Sequence, residues 1–489
     1  MPDQPDNAPR GGASLIEPGS EAALGAGADP AQEPSIVQIE THPLREMLTI
    51  AAPTVVTMTS YTVMQFIDAQ MVLRIGPEPV YVSAQGNGGM LAWLVISIVL
   101  GLTTIVNSYV SQNLGAGRPR EGAAYAWNAI WISVAGWAVF MLPMIFLSGR
   151  VFAAMGHDVT LLGLENDYAR IMLFGGLFVT TARALGHYFY GMHRPMIVMV
   201  AVLTANIINV MANWVLIYGH FGMPALGVSG AALGTVIGSA VELILPMCIF
   251  LGPRFAREFS TRAAWRPSAK HIRDIFRIGW PGSLMFFNEM VCWGYLMIGL
   301  IPMAARAAGQ DPVVANTAGW IGLRYMHVSF MPTVGLSIAL TAIVGKCMGM
   351  NRPNLAASRT WLGVRLGLAY MGVCAVVFLV FREQLVALFI DSETPPDERA
   401  LLIAIGSKVM IAAAIFQLFD AVSILLSGAL RGAGDTVWPG VATIVSSWVW
   451  IIGGGHLIIW LMPTLGGVSP WIGGAAYIIT LGVALLVRF

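Results

Sequence analysis

Charged residues are scarce in this sequence. Only 11% of the 489 residues are Asp, Glu, Lys or Arg, whereas 56% are hydrophobic. A soluble globular protein has about 25% charged residues. The chain therefore lacks the charge to cover a water-facing surface, which excludes a soluble protein and predicts an integral membrane protein. The formal net charge of +1 says little about partners, because the placement of the charges matters more. We expect no nucleic-acid partner.

Cysteine is scarce as well, with four residues that all lie in apolar runs: Cys248, Cys292, Cys347 and Cys374. None has the C-x-x-C spacing of a metal site. We interpret them as small apolar core residues and expect no cofactor.

The first 40 residues are rich in Pro, Gly, Ala and acidic residues and contain no apolar core. They do not have the pattern of a signal peptide. We predict that residues 1–44 form a disordered cytoplasmic tail.

Long apolar runs dominate the rest of the chain. A membrane-spanning helix needs about 20 mostly apolar residues. Twelve runs qualify, at about 46–73, 88–113, 121–148, 168–190, 195–218, 227–251, 279–303, 314–346, 360–381, 400–428, 437–461 and 470–487. Transmembrane strands are about half as long and alternate in polarity, so we predict an all-α polytopic protein.

Lys and Arg concentrate in alternate gaps between these runs, which indicates the cytoplasmic side. They are Arg118, Arg120, Arg254, Arg257, Arg262, Arg266, Lys270, Arg273, Arg277, Lys346, Arg352 and Arg359. The opposite gaps contain mostly acids, namely Asp158, Glu165, Asp167, Asp391, Glu393, Asp397 and Glu398. Both termini are therefore predicted to be cytoplasmic. A basic linker, 253–278, separates an N-lobe, 45–252, from a C-lobe, 279–489, with six spans each.

The two halves repeat. GLTTIVNSYVSQNLGAGRPREGAAYAW from Gly101 aligns without a gap with GLSIALTAIVGKCMGMNRPNLAASRTW from Gly335. MPALG at Met223 resembles MPTLG at Met462, and Gly191 matches Gly428 as the end of a span. Because six is an even number of spans, both halves enter the membrane in the same orientation, as in parallel-repeat transporters. The repeated loop GAGRP lacks the G-x-x-x-x-G-K-[S/T] phosphate motif, which argues against ATP-driven transport.

Several stretches resemble the multidrug and toxic compound extrusion (MATE) transporters, in particular their NorM-like bacterial branch. They are FIDAQMVLRIG with Asp68, NIINVMANWVLIYGHFGMPALGVSGAALGT, GWPGSLMFFNE and FQLFDAVSILLSGALRGAGDT. The resemblance covers nearly all of residues 45–489. It implies two pseudo-symmetric six-helix lobes that form a V around a central cavity. It also implies export of amphipathic, often cationic organic compounds, driven by H⁺ or Na⁺, at the inner membrane. We expect a monomer and no enzyme activity.

Asp68 in the first span resembles the acidic residue of the family's N-lobe. Asn209 and Asn213 share one helix face and resemble the asparagines that surround that acid. An Asp flanked by amides can hold a proton or coordinate a cation, so we interpret the three as a cation or proton site. The alternative is a hydrogen-bond cluster that only fixes helix packing.

Glu289 and Asp420 resemble the carboxylates of the family's C-lobe. Two acids in one poorly hydrated pocket cannot both ionise cheaply, so the pair is suited to binding a proton or Na⁺. The alternative is a pairing with a basic residue that holds helices together. Arg324 in the eighth span departs from the family, and we expect it to pair with Glu289 or Asp420 because an unpaired guanidinium is costly there.

Arg183 is a second candidate charge partner. By the Gly191–Gly428 match it corresponds to Asp420, which suggests lobes of opposite charge. The alternative is that it snorkels to the cytoplasmic face. Met285, Trp293 and His327 are candidates for lining the cavity, since soft and aromatic surfaces suit varied substrates.

Two alternatives to drug export stay open. Arg183 and Arg324 are compatible with a lipid-linked precursor flippase of the wider superfamily. A membrane-embedded enzyme would need a polar constellation such as H-E-x-x-H at one membrane face, and the sequence contains none.

Overall fold

The computed structural model describes residues 42–76, 80–155, 159–390 and 394–489, and this part of the chain is almost entirely helical. Twelve long helices, α1 to α12, follow one another within it. They are Pro43–Leu73, Val80–Gly115, Pro119–Ala154, Val159–Gly191, Pro195–Tyr218, Gly227–Phe250, Ala269–Ala307, Pro312–Gly349, Pro353–Val380, Pro396–Ala433, Val437–Leu461 and Pro463–Arg488. The predicted tail up to residue 41, and Asp158, Asp391 and Glu393, lie outside the described residues.

Eleven of these helices are long and apolar enough to cross a membrane. The remaining one, α4, has 33 residues but includes Glu165, Asp167, Arg170 and Arg183. The prediction of an all-α polytopic protein with twelve spans is confirmed.

Helix ends extend beyond the apolar runs that predicted them. α7 begins at Ala269, inside the predicted linker 253–278, and α2 and α4 begin at Val80 and Val159 rather than near 88 and 168. Hydropathy detects only the part of a helix that matches the apolar core, whereas backbone hydrogen bonding continues until a terminating residue. Proline begins α1, α3, α5, α8, α9, α10 and α12, where its missing N–H costs no hydrogen bond.

Several helices are irregular near their middles. α2 is interrupted at Thr104 and Ile105, and π-helical segments occur at Trp137–Met141, Leu296–Leu300 and Trp448–Gly454. Such insertions bend a helix and often lie near functional sites. Two of the three belong to α7 and α11 of the C-lobe.

The helices divide into two lobes, α1–α6 and α7–α12, but the first helix of each lobe reaches across. Met47 and Ile50 at the start of α1 belong to the apolar core of the C-lobe. Ile275 at the start of α7 belongs to the core of the N-lobe. The lobes are therefore joined by a reciprocal exchange of helix ends.

Two related hydrogen bonds further along the same helices also join the lobes. Thr54 Oγ1 of α1 donates to Gly335 O of α8 over 2.7 Å, and Ser283 Oγ of α7 donates to Ile98 O of α2 over 2.6 Å. Each first helix thus bonds to the backbone of the second helix of the other lobe. The arrangement is that of a two-fold pseudo-symmetric pair.

The gapless repeat forms the closest contact between the lobes. A Cβ at Gly115 of α2 would collide with Lys346 O of α8, and a Cβ at Gly349 of α8 would collide with Gln112 O of α2. These two contacts are equivalent under the repeat. Glycine is required at both positions because only a residue without a side chain permits this approach of two backbones.

A buried ion pair lies at the same end of the helices. Arg359 Nε of α9 is 2.8 Å from Glu46 Oε2 of α1, and both side chains are almost completely buried. The lobes are therefore in contact at the end that the basic loops mark.

The structure changes the third repeat match, which paired Gly191 with Gly428. Equivalent backbone hydrogen bonds close the turns after α4 and α10, namely Arg194 N to Phe189 O and Asp435 N to Leu430 O. Gly191 contacts Asn107 O and Val110, and Gly432 contacts the equivalent Thr341 O and Val344. Gly191 therefore corresponds to Gly432, and the predicted match with Gly428 is wrong by about one helical turn. Arg183 is not the counterpart of Asp420.

The backbone approach at Gly349 generates a stability prediction. Gly349→Ala should force the lobes apart locally and lower the melting temperature in detergent, at a cost of about 1–3 kcal/mol. The matched control is Gly163→Ala in α4, because a Cβ there would have no atom within 4 Å. Equal melting temperatures for the two variants would contradict the close contact.

Candidate functional site

Asp68 of α1 is the centre of a polar network inside the N-lobe. Its side chain is buried, and its Oδ1 accepts a 2.7 Å hydrogen bond from Asn213 Nδ2 of α5. Asn213 Nδ2 is also 3.3 Å from Asn209 Oδ1, one turn earlier on the same helix. The structure thus brings together the three residues that the sequence pointed to in this lobe.

One acceptor in this network has no partner. Asn213 Oδ1 is buried, and no hydrogen bond reaches it within the described residues. A Cβ at Gly234 of α6 would collide with this oxygen, so glycine leaves the space that it occupies. A buried acceptor beside a carboxylate can receive the proton of a neutral Asp68 or become the second ligand of a cation.

Glu289 and Asp420 are neighbours in the C-lobe. Glu289 of α7 accepts a 3.1 Å hydrogen bond from the hydroxyl of Tyr477 of α12. Asp420 of α10 is close enough to interact electrostatically with Glu289 and Tyr477. Across the described ranges, neither carboxylate forms an ion pair with a basic side chain.

Arg324, the expected partner of Glu289 or Asp420, points away from both carboxylates. Arg324 of α8 is exposed, and its Cζ lies 5.8 Å from the ring centroid of Phe389. It forms no ion pair with Glu289 or Asp420 in the structure. The face of α8 that meets α10 presents Ser329 instead, whose hydroxyl accepts a 2.9 Å hydrogen bond from Gln417 Nε2. The rotation of α8 therefore directs Arg324 away from the carboxylates.

Arg183 has a partner that the sequence analysis did not identify. Its Nε is 3.7 Å from Glu242 Oε1 of α6, and its Cζ lies 3.8 Å above the ring centroid of Tyr61 of α1. The Tyr61 hydroxyl donates a 2.7 Å hydrogen bond to the same Glu242 oxygen. This cluster joins three helices of the N-lobe. The sequence contained one signal for this pairing. Arg183 lies eight residues before the end of α4, and Glu242 lies eight residues before the end of α6.

The three cavity candidates lie in different surroundings. Met285 lines a cavity at the lobe junction. Trp293 packs against Trp471 and Phe416, with ring centroids 6.5 and 6.4 Å apart. His327 Nε2 is buried with no hydrogen-bond partner among the residues described. The structure does not bring these side chains into one surface.

Asn288 is a further polar residue of the C-lobe that the sequence analysis missed. Its Nδ2 donates to Ser447 Oγ of α11 over 2.8 Å, and its Oδ1 accepts from Trp448 Nε1 over 2.7 Å. The contact connects α7, beside Glu289, to the start of the π-helical segment of α11. Its position next to Glu289 in FFNEMVCW was the available signal.

Comparison with known families gives an extensive match. The family model described as MatE matches residues 53–215 and 285–454. The matched ranges include Asp68, Asn209, Asn213, Glu289 and Asp420.

Individual proteins align over most of the chain. A probable multidrug resistance protein NorM of Mesorhizobium japonicum is 26% identical over 458 residues, which are 91% of this chain and 93% of that protein. The multidrug resistance protein PmpM of Pseudomonas aeruginosa is 28% identical over 416 residues, 83% of this chain and 82% of that protein.

Solved structures share the fold. A crystal structure of MATE in complex with MaL6 superposes with a TM-score of 0.80 at 20% identity and covers 93% of this chain and 96% of that one. A MOP superfamily transporter from Pyrococcus furiosus, described as having a binding pocket of reverse polarity, gives a TM-score of 0.79 at 20% identity and covers 93% of this chain and 95% of that one.

The Arg183–Glu242 contact should behave as a coupled pair. Arg183→Gln or Glu242→Gln alone leaves one charge without its partner, so each should destabilise the protein more than the double variant does. The expected coupling energy is about 0.5–3 kcal/mol, measured from detergent melting curves as a double-mutant cycle. Additive effects of the two substitutions would show that the pair does not stabilise the lobe.

Proposed function

The chain belongs to the MatE family, and from this premise we propose that it is a secondary active exporter of amphipathic, cationic organic compounds. Inward movement of H⁺ or Na⁺ supplies the free energy. The protein acts as a monomer in the inner membrane, with both termini and the basic loops in the cytoplasm. Its N-lobe, α1–α6, and C-lobe, α7–α12, are connected by the basic segment 253–278, whose last part forms the start of α7.

The observation that supports this most strongly is a difference between two groups of acids. Glu46 and Glu242 are each paired with an arginine, at 2.8 and 3.7 Å. Asp68, Glu289 and Asp420 have no such partner within the described part of the chain. Their neighbours are an amide, a phenol and each other.

An unpaired carboxylate in a membrane span is unfavourable, by roughly 2.5–3.5 kcal/mol at the bilayer centre for Asp. Neutralisation by a mobile cation removes much of this cost. The cation can be a proton on a carboxyl oxygen or Na⁺ held by carboxylate and amide oxygens. The three acids are therefore suited to bind and release the coupling ion.

Ion binding can drive transport only if the two conformations differ in affinity for the ion. The lobes are in contact at the basic-loop end, through Gly115, Gly349 and the Glu46–Arg359 pair. With that end in the cytoplasm, this conformation is closed toward the cytoplasm. Opening to the cytoplasm must separate these contacts. Neutralisation of Asp68, or of Glu289 with Asp420, shifts the equilibrium between the cytoplasm-closed and the cytoplasm-open conformation.

A cationic substrate suits the same acids. Ion and substrate would compete for negative charge or occupy it alternately, which couples uptake of one to release of the other. Asp68, supported by Asn213 and Asn209, is the primary ion site of the N-lobe. Glu289 and Asp420 form that of the C-lobe, and Arg324 does not pair with them, so the two carboxylates can bind Na⁺ or a proton.

The flippase alternative loses its main support. It depended on Arg183 and Arg324 as cationic groups of the cavity. Arg183 is paired with Glu242, and Arg324 lies over Phe389. Neither guanidinium contacts the three unpaired acids.

Dye efflux from vesicles tests the proposal. An imposed pH or Na⁺ gradient should drive efflux by the wild type. Asp68→Asn should lower the rate by about tenfold or more, equivalent to roughly 1.4 kcal/mol of coupling. Glu383→Gln is the matched control, because this acid is 62% exposed and lies outside the long helices. If neither gradient drives efflux, the exporter assignment fails.

The position of Arg324 gives a second expectation. Arg324→Ala should leave both the coupling ion and the pH profile of efflux unchanged, because the guanidinium does not neutralise Glu289 or Asp420. Efflux is measured under separate pH and Na⁺ gradients. A switch of coupling ion in this variant would show that Arg324 reaches the carboxylates during the transport cycle.

A further inference from the structure

Arg431 near the end of α10 differs from three other half-buried or buried arginines. Arg183, Arg359 and Arg488 each pair with an acid at 3.7, 2.8 and 2.7 Å. Arg431 has no carboxylate partner in the described ranges, yet its side chain lines a cavity at the junction of the lobes. A guanidinium offers five donors and cannot release its charge, so it needs an acceptor in that cavity.

The cavity is suited to an anion. Ser427 lines it together with Arg431 and adds a hydroxyl. Asp435 lines it too, but Arg488 holds its Oδ2 with contacts of 2.8 and 2.7 Å from Nε and Nη2. The acid is thus already neutralised, whereas the Arg431 charge is not. Arginine binds phosphate groups in such geometries through parallel hydrogen bonds.

An apolar groove adjoins the cavity between α7 and α11. It is lined only by Trp280, Pro281, Leu284, Gly440, Val441, Ile444 and Val445. Pro281 lines both spaces, so the groove begins where the cavity ends. Trp280, Val441 and Val445 are 46 to 54% exposed, so the groove faces outward. An exposed apolar groove on membrane-spanning helices is suited to an acyl chain, which is as apolar as these side chains.

The cavity and the groove follow one another along α11, because Pro439 lines the cavity and the groove lining continues from Gly440. Arg431 is two residues from the end of α10, the end that the basic loops mark. The lining of the groove on α11 runs from Gly440 to Val445, about 7.5 Å at 1.5 Å per residue. Trp438 lies near the start, with the Arg488 Cζ 5.7 Å from its ring centroid. Aromatic and basic residues together are typical of the membrane–water interface.

We propose that the cavity and the groove form one binding site for an anionic phospholipid. Arg431 and Ser427 bind the phosphate, and an acyl chain lies along Leu284, Val441 and Val445. The site contains Thr104 and Ile105 of the N-lobe, at the break in α2, and residues of the C-lobe. A bound lipid would therefore contact both lobes where they meet.

Native mass spectrometry of the full chain in detergent tests this site. Phosphatidylglycerol and phosphatidylcholine with matched acyl chains are the probes. Wild type should retain phosphatidylglycerol more strongly, and Arg431→Gln should weaken this retention about fivefold. Arg431→Lys should retain most of it. Arg306→Gln, an exposed arginine at the other end of α7, is the charge-matched control and should bind like wild type.

Two further experiments distinguish binding of the lipid headgroup from binding of the acyl chain. Val441→Trp fills the groove and should weaken retention of both lipids, and it serves as the test if Arg431→Gln does not fold. Wild-type retention of phosphatidylglycerol in either folded variant would overturn the proposal. Displacement of phosphatidylglycerol by inorganic phosphate at equal concentration would show a site for a soluble anion and would also overturn it.

Discussion

A carboxylate within a bilayer must be neutralised, and this requirement organises the rest of the molecule. The chain meets it in two ways. Glu46 and Glu242 have arginine partners, so each pair fixes the helices that carry it. Asp68, Glu289 and Asp420 have no arginine partner in the described structure, and their neighbours are an amide, a hydroxyl and each other. We propose that a mobile cation neutralises them. The presence or absence of an arginine partner therefore distinguishes an acid with a structural role from an acid suited to ion coupling.

The junction of the lobes has its closest contacts between backbones, at Gly115 and Gly349, where no side chain can adjust to an intermediate separation. We therefore propose that the junction alternates between two discrete states. Met47 and Ile50 of α1 and Ile275 of α7 are buried in the opposite lobe's core, so the starts of these helices connect the two lobes. Packed interfaces of this kind change between alternatives instead of deforming continuously. In the proposed cycle, ion binding inside a lobe shifts the equilibrium between the two arrangements of the junction.

Pseudo-symmetry is strict at the junction and absent in the sites. The contacts of Gly115 and Gly349 are equivalent, as are the turns that follow α4 and α10. With Gly191 matched to Gly432, the N-lobe counterpart of Asp420 is Val179. The lobes therefore share the geometry of their contact, while each places its acids on different helices with different neighbours. Such a division is compatible with distinct roles for the two lobes.

The sequence by itself determined the twelve spans, the internal repeat, the family and the grouping of Asp68 with Asn209 and Asn213. Span length and i, i+4 spacing are local properties of a chain, and motifs are read directly from it. Only the tertiary structure decided the partners of Arg183, Arg324 and Arg431, and the register of the α4–α10 match. A side chain's partner depends on how its helix is rotated about its own axis, and that rotation is set jointly by all the helices packed around it.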